Sequence, residues 1–275
     1  MSVYARVAAL EAEGKQAVLV TVVAARGSVP RHEGSKMLIF PDGSTEGTIG
    51  GGDMEHRVIG EALAALADGQ LRVRDYVFQD PAQGDVGVCG GEIQVVIEPI
   101  QPKPGLLVIG AGHVGNAAAH LGKWLGFEVT LVDDRPDFAG SSDVPDLDRV
   151  VTCAMKDISD HVGIHAQTYI LLTTRGVDLD VEGLPNLLAS PAAYIGVIGS
   201  RRRWETTVDQ LRQAGVPEDQ IQRVTSPMGL ELNAETPEEI AVSVLGQVIM
   251  QRRGGSGESM AHMPAQRRSK GAKPE

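Results

Sequence analysis

Residues 106–115 read Leu-Leu-Val-Ile-Gly110-Ala-Gly112-His-Val-Gly115. A short apolar run that ends in Gly-x-Gly-x-x-Gly has few ways to fold. The run makes a strand, the glycines make a tight turn, and the following residues open a helix whose free N–H groups favour an anion. Gly110 and Gly115 complete the turn and the helix packing, while Gly112 lets a phosphate approach the helix N-terminus. Asp133 closes the next strand, at roughly the 20-residue spacing expected of an acid that binds a ribose hydroxyl. His113 falls in the first helical turn, either against a phosphate or in solvent.

From Leu106 onward the pattern alternates. Candidate strands at 106–110, 128–133, 149–152, 168–173 and 193–198 are separated by segments long enough for crossover helices. That order implies a parallel sheet with helices on both faces, a Rossmann-like domain over residues 104–253. Residues 204–214 read as a further helix. Thr236-Pro-Glu-Glu239 then forms a capping box with Pro at the first helical position, and Ile240, Val244, Leu245 and Val248 give the helix that follows its apolar face.

Ahead of this stands a different composition. Residues 1–103 read as a mixed α+β, glycine-rich domain: a short helix at 3–13, a buried strand at 17–24, a strand at 37–40 ended by Pro41-Asp-Gly43, and strands at 73–77 and 93–97. Gln101-Pro-Lys-Pro104 is a linker, because two prolines favour extended backbone. Residues 254–275 turn to Gly, Ser, Pro, Lys and Arg and read as a disordered tail.

The glycine-rich domain carries two clusters, Gly47-Thr-Ile-Gly50-Gly51-Gly52-Asp-Met-Glu55 and Val88-Cys89-Gly-Gly91. Consecutive glycines lose more backbone entropy on folding than other residues, so they persist where backbone approaches something closely. Gly50, Gly51 and Gly52 lead into a helix carrying Met54, Val58, Ala62 and Leu66. Asp53 reads as its N-cap, and the glycines read either as an anion-binding nest of N–H groups or as a packed turn. Arg26, Arg31 and Lys36 flank the neighbouring Gly-Pro loop and supply positive charge or plain surface. A ligand held between the two domains is one arrangement this order allows.

Two further features carry chemistry. Ser200-Arg201-Arg202-Arg203 follows a strand, so it lies at the carboxyl edge of the sheet, where ligands bind. Arginines at a helix N-terminus oppose the helix dipole, an unfavourable local choice that points to function. Their forks suit phosphate or carboxylate; surface charge and a contact with a partner protomer are the other readings. Cys89 sits among glycines, unlike a core cysteine. A thiolate there ligates a soft metal or carries sulfur, although burial is the commonest fate of a lone cysteine. Cys153 reads as structural.

The formal net charge of −11 argues against nucleic-acid and membrane partners, both of which want a basic face. Two cysteines and no leader-like N-terminus fit a reducing cytoplasm. HExxH, Walker A, paired CxxC and G-x-S-x-G motifs are all missing.

Taken together, several segments resemble the xanthine dehydrogenase accessory protein family (XdhC/CoxI). They are Gly27-Ser-Val-Pro-Arg-His-Glu-Gly34, Gly47 to Gly52 with Met54-Glu55, Cys89-Gly-Gly91-Glu, Gly110 to Gly115 and Asp133-Asp-Arg135. Tyr194 to Arg202, Ser226-Pro-Met-Gly-Leu230 and Thr236 to Ala241 complete the set. The likeness spans roughly residues 17–250 and implies a maturation chaperone with little turnover of its own. Such a protein binds the molybdenum cofactor (molybdopterin), protects its sulfurated form and delivers it to a molybdenum hydroxylase such as xanthine dehydrogenase. A cysteine desulfurase is the partner the sulfuration implies, and a homo-oligomer fits the family.

On this resemblance the cofactor-binding set is Gly50, Gly51, Gly52, Cys89, Gly110, Gly112, His113, Gly115, Asp133, Arg201 and Arg202, with Cys89 also a candidate metal ligand. Two departures stand out. Asp53 replaces a Cys or small residue, and Val177 replaces a His in Arg175-Gly-Val-Asp-Leu-Asp180, which leaves Asp180 as the match. The reading from another class is an NAD(P)-dependent oxidoreductase, carried by Gly110 to Gly115 and Asp133. It lacks an acid–base partner for hydride transfer.

Overall fold

The computed structural model describes residues 2–77, 91–140 and 144–262. The chain divides into two compact units, Met1–Lys103 and Pro104–Glu275. The fold class is mixed α/β, with an antiparallel sheet in the first unit and a six-stranded parallel sheet in the second.

The first unit runs α1 (Val3–Ala12), β1 (Ala17–Arg26), β2 (Lys36–Ile39), β3 (Thr45–Gly47), α2 (Gly52–Asp68), β4 (Arg72–Val77) and β5 (Glu92–Ile100). Its strands lie in the order β3-β2-β1-β5-β4, every neighbour antiparallel. Alternation along β1 explains the layering. Val18, Val20 and Val22 join Met37, Ile39, Ile93, Val95 and Ile97 on the face covered by Met54, Val58, Ala62 and Ala65 of α2. Ala17, Leu19 and Leu38 face the other way, against Leu10 of α1. Successive strand residues point to opposite faces, so a run of valines serves both layers.

The second unit runs β6 (Gly105–Ile109), α3 (His113–Trp124), β7 (Glu128–Asp133), α4 (Pro136–Gly140), β8 (Arg149–Thr152), α5 (Ile158–His161) and β9 (Thr168–Leu172). It continues α6 (Val177–Leu188), β10 (Tyr194–Val197), α7 (Arg201–Gln213), α8 (Glu218–Ile221), β11 (Val224–Thr225) and α9 (Pro237–Arg253). The spatial order β8-β7-β6-β9-β10-β11, with all neighbours parallel, is the 3-2-1-4-5-6 order of the doubly wound dinucleotide fold. Leu106 and Val108 pack with Ala118, Ala119, Val244, Leu245 and Val248. Leu107 and Ile109 pack on the other face with Leu184, Leu187, Leu188 and Leu211. The capping box of α9 is formed: Thr236 Oγ1 accepts from Glu239 N, and Glu239 Oε2 accepts from Thr236 N.

The structure departs from the sequence pattern in several places. Strands β3 and β11 are three and two residues long, too short for a periodicity to show. Among the described residues, only short helices join β7 to β8 and β8 to β9. Helix α7 starts at Arg201 and not at residue 204, because the Ser200 hydroxyl accepts from Arg203 N and caps it. Asp53 is not the N-cap of α2. Gly51 holds that position, and Asp53 lies within the first turn. Of the tail, residues 254–262 are described and include a 3-10 turn at Met260–His262; the remainder lies outside the described residues. Among the described residues no helix is long and apolar enough to cross a membrane.

Candidate functional site

The parallel sheet changes direction between β6 and β9. In sheets of this kind ligands bind in the crevice beyond the carboxyl ends of the strands at that point. Here the loops after β6, β7 and β9 enclose a cleft of about 190 Å3, lined by Gly110, Gly112, Asp133, Arg135, Thr173 and Arg175 among others. The Thr173 hydroxyl donates to Gly110 O at 2.8 Å and ties the two halves of the sheet together at its base.

The three glycines of the turn have different causes. Gly110 has φ +107°, and a Cβ there would lie 2.7 Å from Thr173 O. At Gly115 a Cβ would collide with Gly110 O, so this residue seats α3 on the strand. At Gly112 a Cβ would meet nothing within 4 Å, and φ is −75°, open to any residue. No internal contact asks for glycine at 112, and the space a side chain would fill opens at the N-terminus of α3. That is the chemistry of a phosphate cradle.

Asp133 is not free to bind ribose. It is 2% exposed, and both of its oxygens are occupied. Oδ2 accepts from Ala111 N at 2.7 Å and from Arg135 Nη2 at 3.0 Å. Oδ1 accepts from Arg135 N at 3.0 Å and Arg135 Nε at 2.8 Å. A carboxylate offers about four lone-pair sites, and protein donors fill them. Burial pushes this carboxyl up, but the bonds from Arg135 and Ala111 outweigh it and bring the pKa down to about 2. The acid is thus a brace for the glycine turn. Beside it, Asp134 receives both Nη atoms of Arg175 at 2.7 Å, and the Arg175 guanidinium holds its carboxyl below the usual range.

Within the arginine run, the sequence points to Arg201 and Arg202. Both are exposed, their side chains make no hydrogen bond or ion pair among the described residues, and neither lines the crevice. Arg203 carries the structure. Its Nη2 lies 2.6 Å from Asp180 Oδ2 and 2.7 Å from Thr174 Oγ1, and its Nη1 donates to Thr174 O at 3.1 Å. Asp180 is fully buried and also accepts from the Thr174 hydroxyl. The network fixes the Thr173-Thr174-Arg175-Gly176 loop that walls the crevice. His113 is exposed and lines a separate groove of about 480 Å3 with His120 and Glu238, between α3 and α9.

In the first unit, Gly50, Gly51 and Gly52 all have positive φ, at +151°, +80° and +68°. The amides of Ile49, Gly50 and Gly51 form a nest, and an internal anion fills it. Glu55 Oε1 accepts from Ile49 N at 2.9 Å, Gly50 N at 3.2 Å, Gly51 N at 2.9 Å and Thr48 Oγ1 at 2.6 Å. Burial pushes the Glu55 carboxyl up, and these four donors outweigh it and hold it below its ordinary value. For Gly50 and Gly51 this corrects the expectation of amides open to an external anion, and the packed turn is the reading that holds there. Gly50 also packs on Pro30, where a Cβ would come within 2.8 Å of the ring, and a Cβ on Gly91 would collide with Ser28 O. The Gly27–Pro30 loop thus packs against both Gly50 and Gly91.

Cys89, the candidate thiol, lies outside the described residues. Cys153 is a free, half-buried thiol packed against the core, and burial raises its pKa. Among the described residues no cluster of three or more His, Cys, Asp or Glu could hold a metal ion. Sequence reasoning gives no weight to Thr173 and Arg175 as site builders, and reads Glu55 and Arg203 only as members of the glycine segment and of the arginine run. A Thr-Thr-Arg-Gly run straight after a buried strand is the available signal for the crevice wall at Thr173 and Arg175.

Fold and crevice define a two-unit protein whose second unit is a Rossmann domain with a glycine turn open at Gly112 and a braced acid at Asp133. Residues 106–248 match the XdhC Rossmann domain, and residues 10–77 match the XdhC and CoxI family. The chain belongs to the XdhC and CoxI family. It is 33% identical over 262 residues to a protein of Escherichia coli (strain K12) named "Uncharacterized protein YqeB", covering 94% of this chain and 48% of that one. It is 31% identical over 157 residues to a protein of Bacillus subtilis (strain 168) described as a probable xanthine dehydrogenase subunit, covering 57% and 46%. It is 24% identical over 285 residues to the "Molybdenum cofactor insertion chaperone PaoD" of Escherichia coli (strain K12), covering 86% and 83%. The chain spans about half the length of the first two relatives.

Proposed function

We propose that the protein binds the molybdenum cofactor and delivers it to a molybdenum hydroxylase such as xanthine dehydrogenase, acting in maturation without turnover of its own. The observation that carries the reading is the similarity to a named molybdenum cofactor insertion chaperone along most of both chains. The cradle at Gly112 fits it. Molybdopterin ends in a phosphate, and the open space before α3 offers backbone N–H groups and the positive end of a helix dipole to such a group.

Cys89 is the residue proposed to meet the sulfur or the metal of this cargo, with a cysteine desulfurase as the sulfur source. It stands two residues before Gly91, whose backbone packs on the Gly27–Pro30 loop beside the glycine turn. An NAD(P)-dependent oxidoreductase keeps the glycine turn in its favour, but the occupied Asp133 removes its usual ribose contact.

The test is retention. Purified protein is mixed anaerobically with molybdenum cofactor, desalted, and assayed for molybdenum and for oxidised-pterin fluorescence, with NADH as a parallel ligand. Near-stoichiometric pterin is the expected result. Retention of NADH alone, or of neither, overturns the proposal.

A further inference from the structure

The ribose end of the crevice is built unlike a diol site. Every acceptor position of Asp133 is already occupied, so hydroxyls brought to it find no lone pair. Arg135 is held by that same carboxylate and lies over Phe138, its Cζ 3.5 Å from the ring centroid. That leaves Arg175. It is half exposed, lines the cleft, and has Asp134 as its hydrogen-bond partner among the described residues.

The Arg175–Asp134 pair has an unusual placement. Arg175 comes from the loop after β9 and Asp134 from the loop after β7, and β6 lies between those strands. The pair therefore spans the carboxyl end of β6, above the glycine turn. A partly exposed ion pair of this kind adds modestly to stability, so its partners exchange at low cost. A guanidinium fork binds phosphate with the same two-pronged geometry as carboxylate. A phosphomonoester brings about −1.5 to −2 charges and three acceptor oxygens, against the single charge of Asp134.

We propose that this crevice recognises its ligand through a phosphomonoester, which Arg175 takes in exchange for Asp134. Asp134 acts as a stand-in anion, keeping Arg175 oriented across the crevice until the phosphate arrives. The inference does not depend on the cofactor reading above, because 2′-phosphorylated dinucleotides and molybdopterin both carry such a group.

Two ligand pairs separate the sources. NADPH and NADH differ by one phosphomonoester, as do oxidised molybdopterin and its dephosphorylated form. Each is titrated calorimetrically into the full chain at low salt. In at least one pair the phosphorylated member is expected to bind about tenfold tighter, the worth of one charge-assisted contact. Arg175→Gln should erase that preference. Asp134→Ala should enlarge it about tenfold, since it removes the competing anion, and should leave the unphosphorylated ligand unchanged. The gain in Asp134→Ala is the decisive arm, because a misfolded variant cannot produce it. Equal or absent binding within both pairs overturns the proposal, and so does a preference that survives Arg175→Gln.

Discussion

Arg203 Nη2 lies 2.6 Å from the carboxylate of Asp180, a side chain with no exposure at all. The two residues stand 23 apart in sequence and join the start of α7 to the first turns of α6. Burial raises the Asp180 carboxyl, and the bonds from Thr174 and Arg203 offset part of that push. Removing Arg203 leaves a buried carboxylate without its cation, which costs about 3–5 kcal/mol. Arg203→Ala should show a loss of that size in urea unfolding at pH 7, shrinking in acid as Asp180 takes up a proton. Arg201→Ala, at a position whose side chain has no partner among the described residues, should stay within about 0.5 kcal/mol of wild type. Equal effects at the two positions would refute the assignment.

The glycine turn offers a contrast within one motif. Gly112→Ala meets open space at an ordinary φ, so the variant should fold with stability unchanged or raised by up to about 1 kcal/mol. Its retention of phosphorylated ligand should nonetheless fall. Gly115→Ala drives a Cβ into Gly110 O and should unfold several degrees lower or fail to accumulate. Thermal melts alongside ligand retention separate the two. A Gly112→Ala protein that binds as wild type would show that nothing approaches there.

Asp133 gives the second unit a window of acid sensitivity. Its folded pKa is depressed from 3.8 to about 2. A depressed carboxyl contributes stability that is present above the unfolded value and lost as pH falls through the folded one. The loss, about 2 kcal/mol in size, should therefore accumulate between about pH 4 and pH 2. Unfolding curves across that range should show it in wild type, while Asp133→Asn should be less stable at pH 7 and flatter in acid. A variant with the wild-type slope would assign the acid sensitivity elsewhere.

Glu55 closes its loop with one oxygen that takes four donors. Glu55→Ala strands these groups, and a half-buried N–H left without a partner costs about 1–3 kcal/mol. Glu55→Gln keeps a carbonyl acceptor and should lose less. Hydrogen exchange at Ile49, Gly50 and Gly51 reads the effect residue by residue. Unaltered protection in Glu55→Ala would mean that the carboxylate does not hold the turn.

Cys89→Ser tests the thiol without changing side-chain size. Cofactor delivery to an apo-hydroxylase should fall at least about tenfold if the sulfur meets the cargo, since a serine hydroxyl is a poor soft-metal ligand. Pterin retention should fall less. Delivery at the wild-type rate removes Cys89 from the site.

Much of the architecture is legible in the chain because its strands are apolar and its turns are marked by glycine. Leu106 to Gly115 locates the start of the parallel sheet, and Thr236 to Glu239 locates the start of the last helix. The three-residue β3 and two-residue β11 escape because pairing, and not periodicity, creates them. The site is harder to read, for a physical reason. Spacing marks Asp133 as a ribose acid, yet spacing cannot show that Ala111 N and Arg135 already occupy the carboxylate. Gly50 to Gly52 are recognisable as a nest, but the anion inside it comes from Glu55, further along the chain. Arg201 and Arg202 stand out through their position, while the working fork is the next residue, Arg203, whose partner lies in a different helix.

A turn of three glycines is ordinarily the floppiest thing a chain can present. With the Glu55 carboxylate seated among its amides, this one carries its own template. Whatever docks on that face meets a surface already in shape, so little conformational freedom remains to be surrendered on contact. The first unit is in that sense a mould, set before the cast arrives.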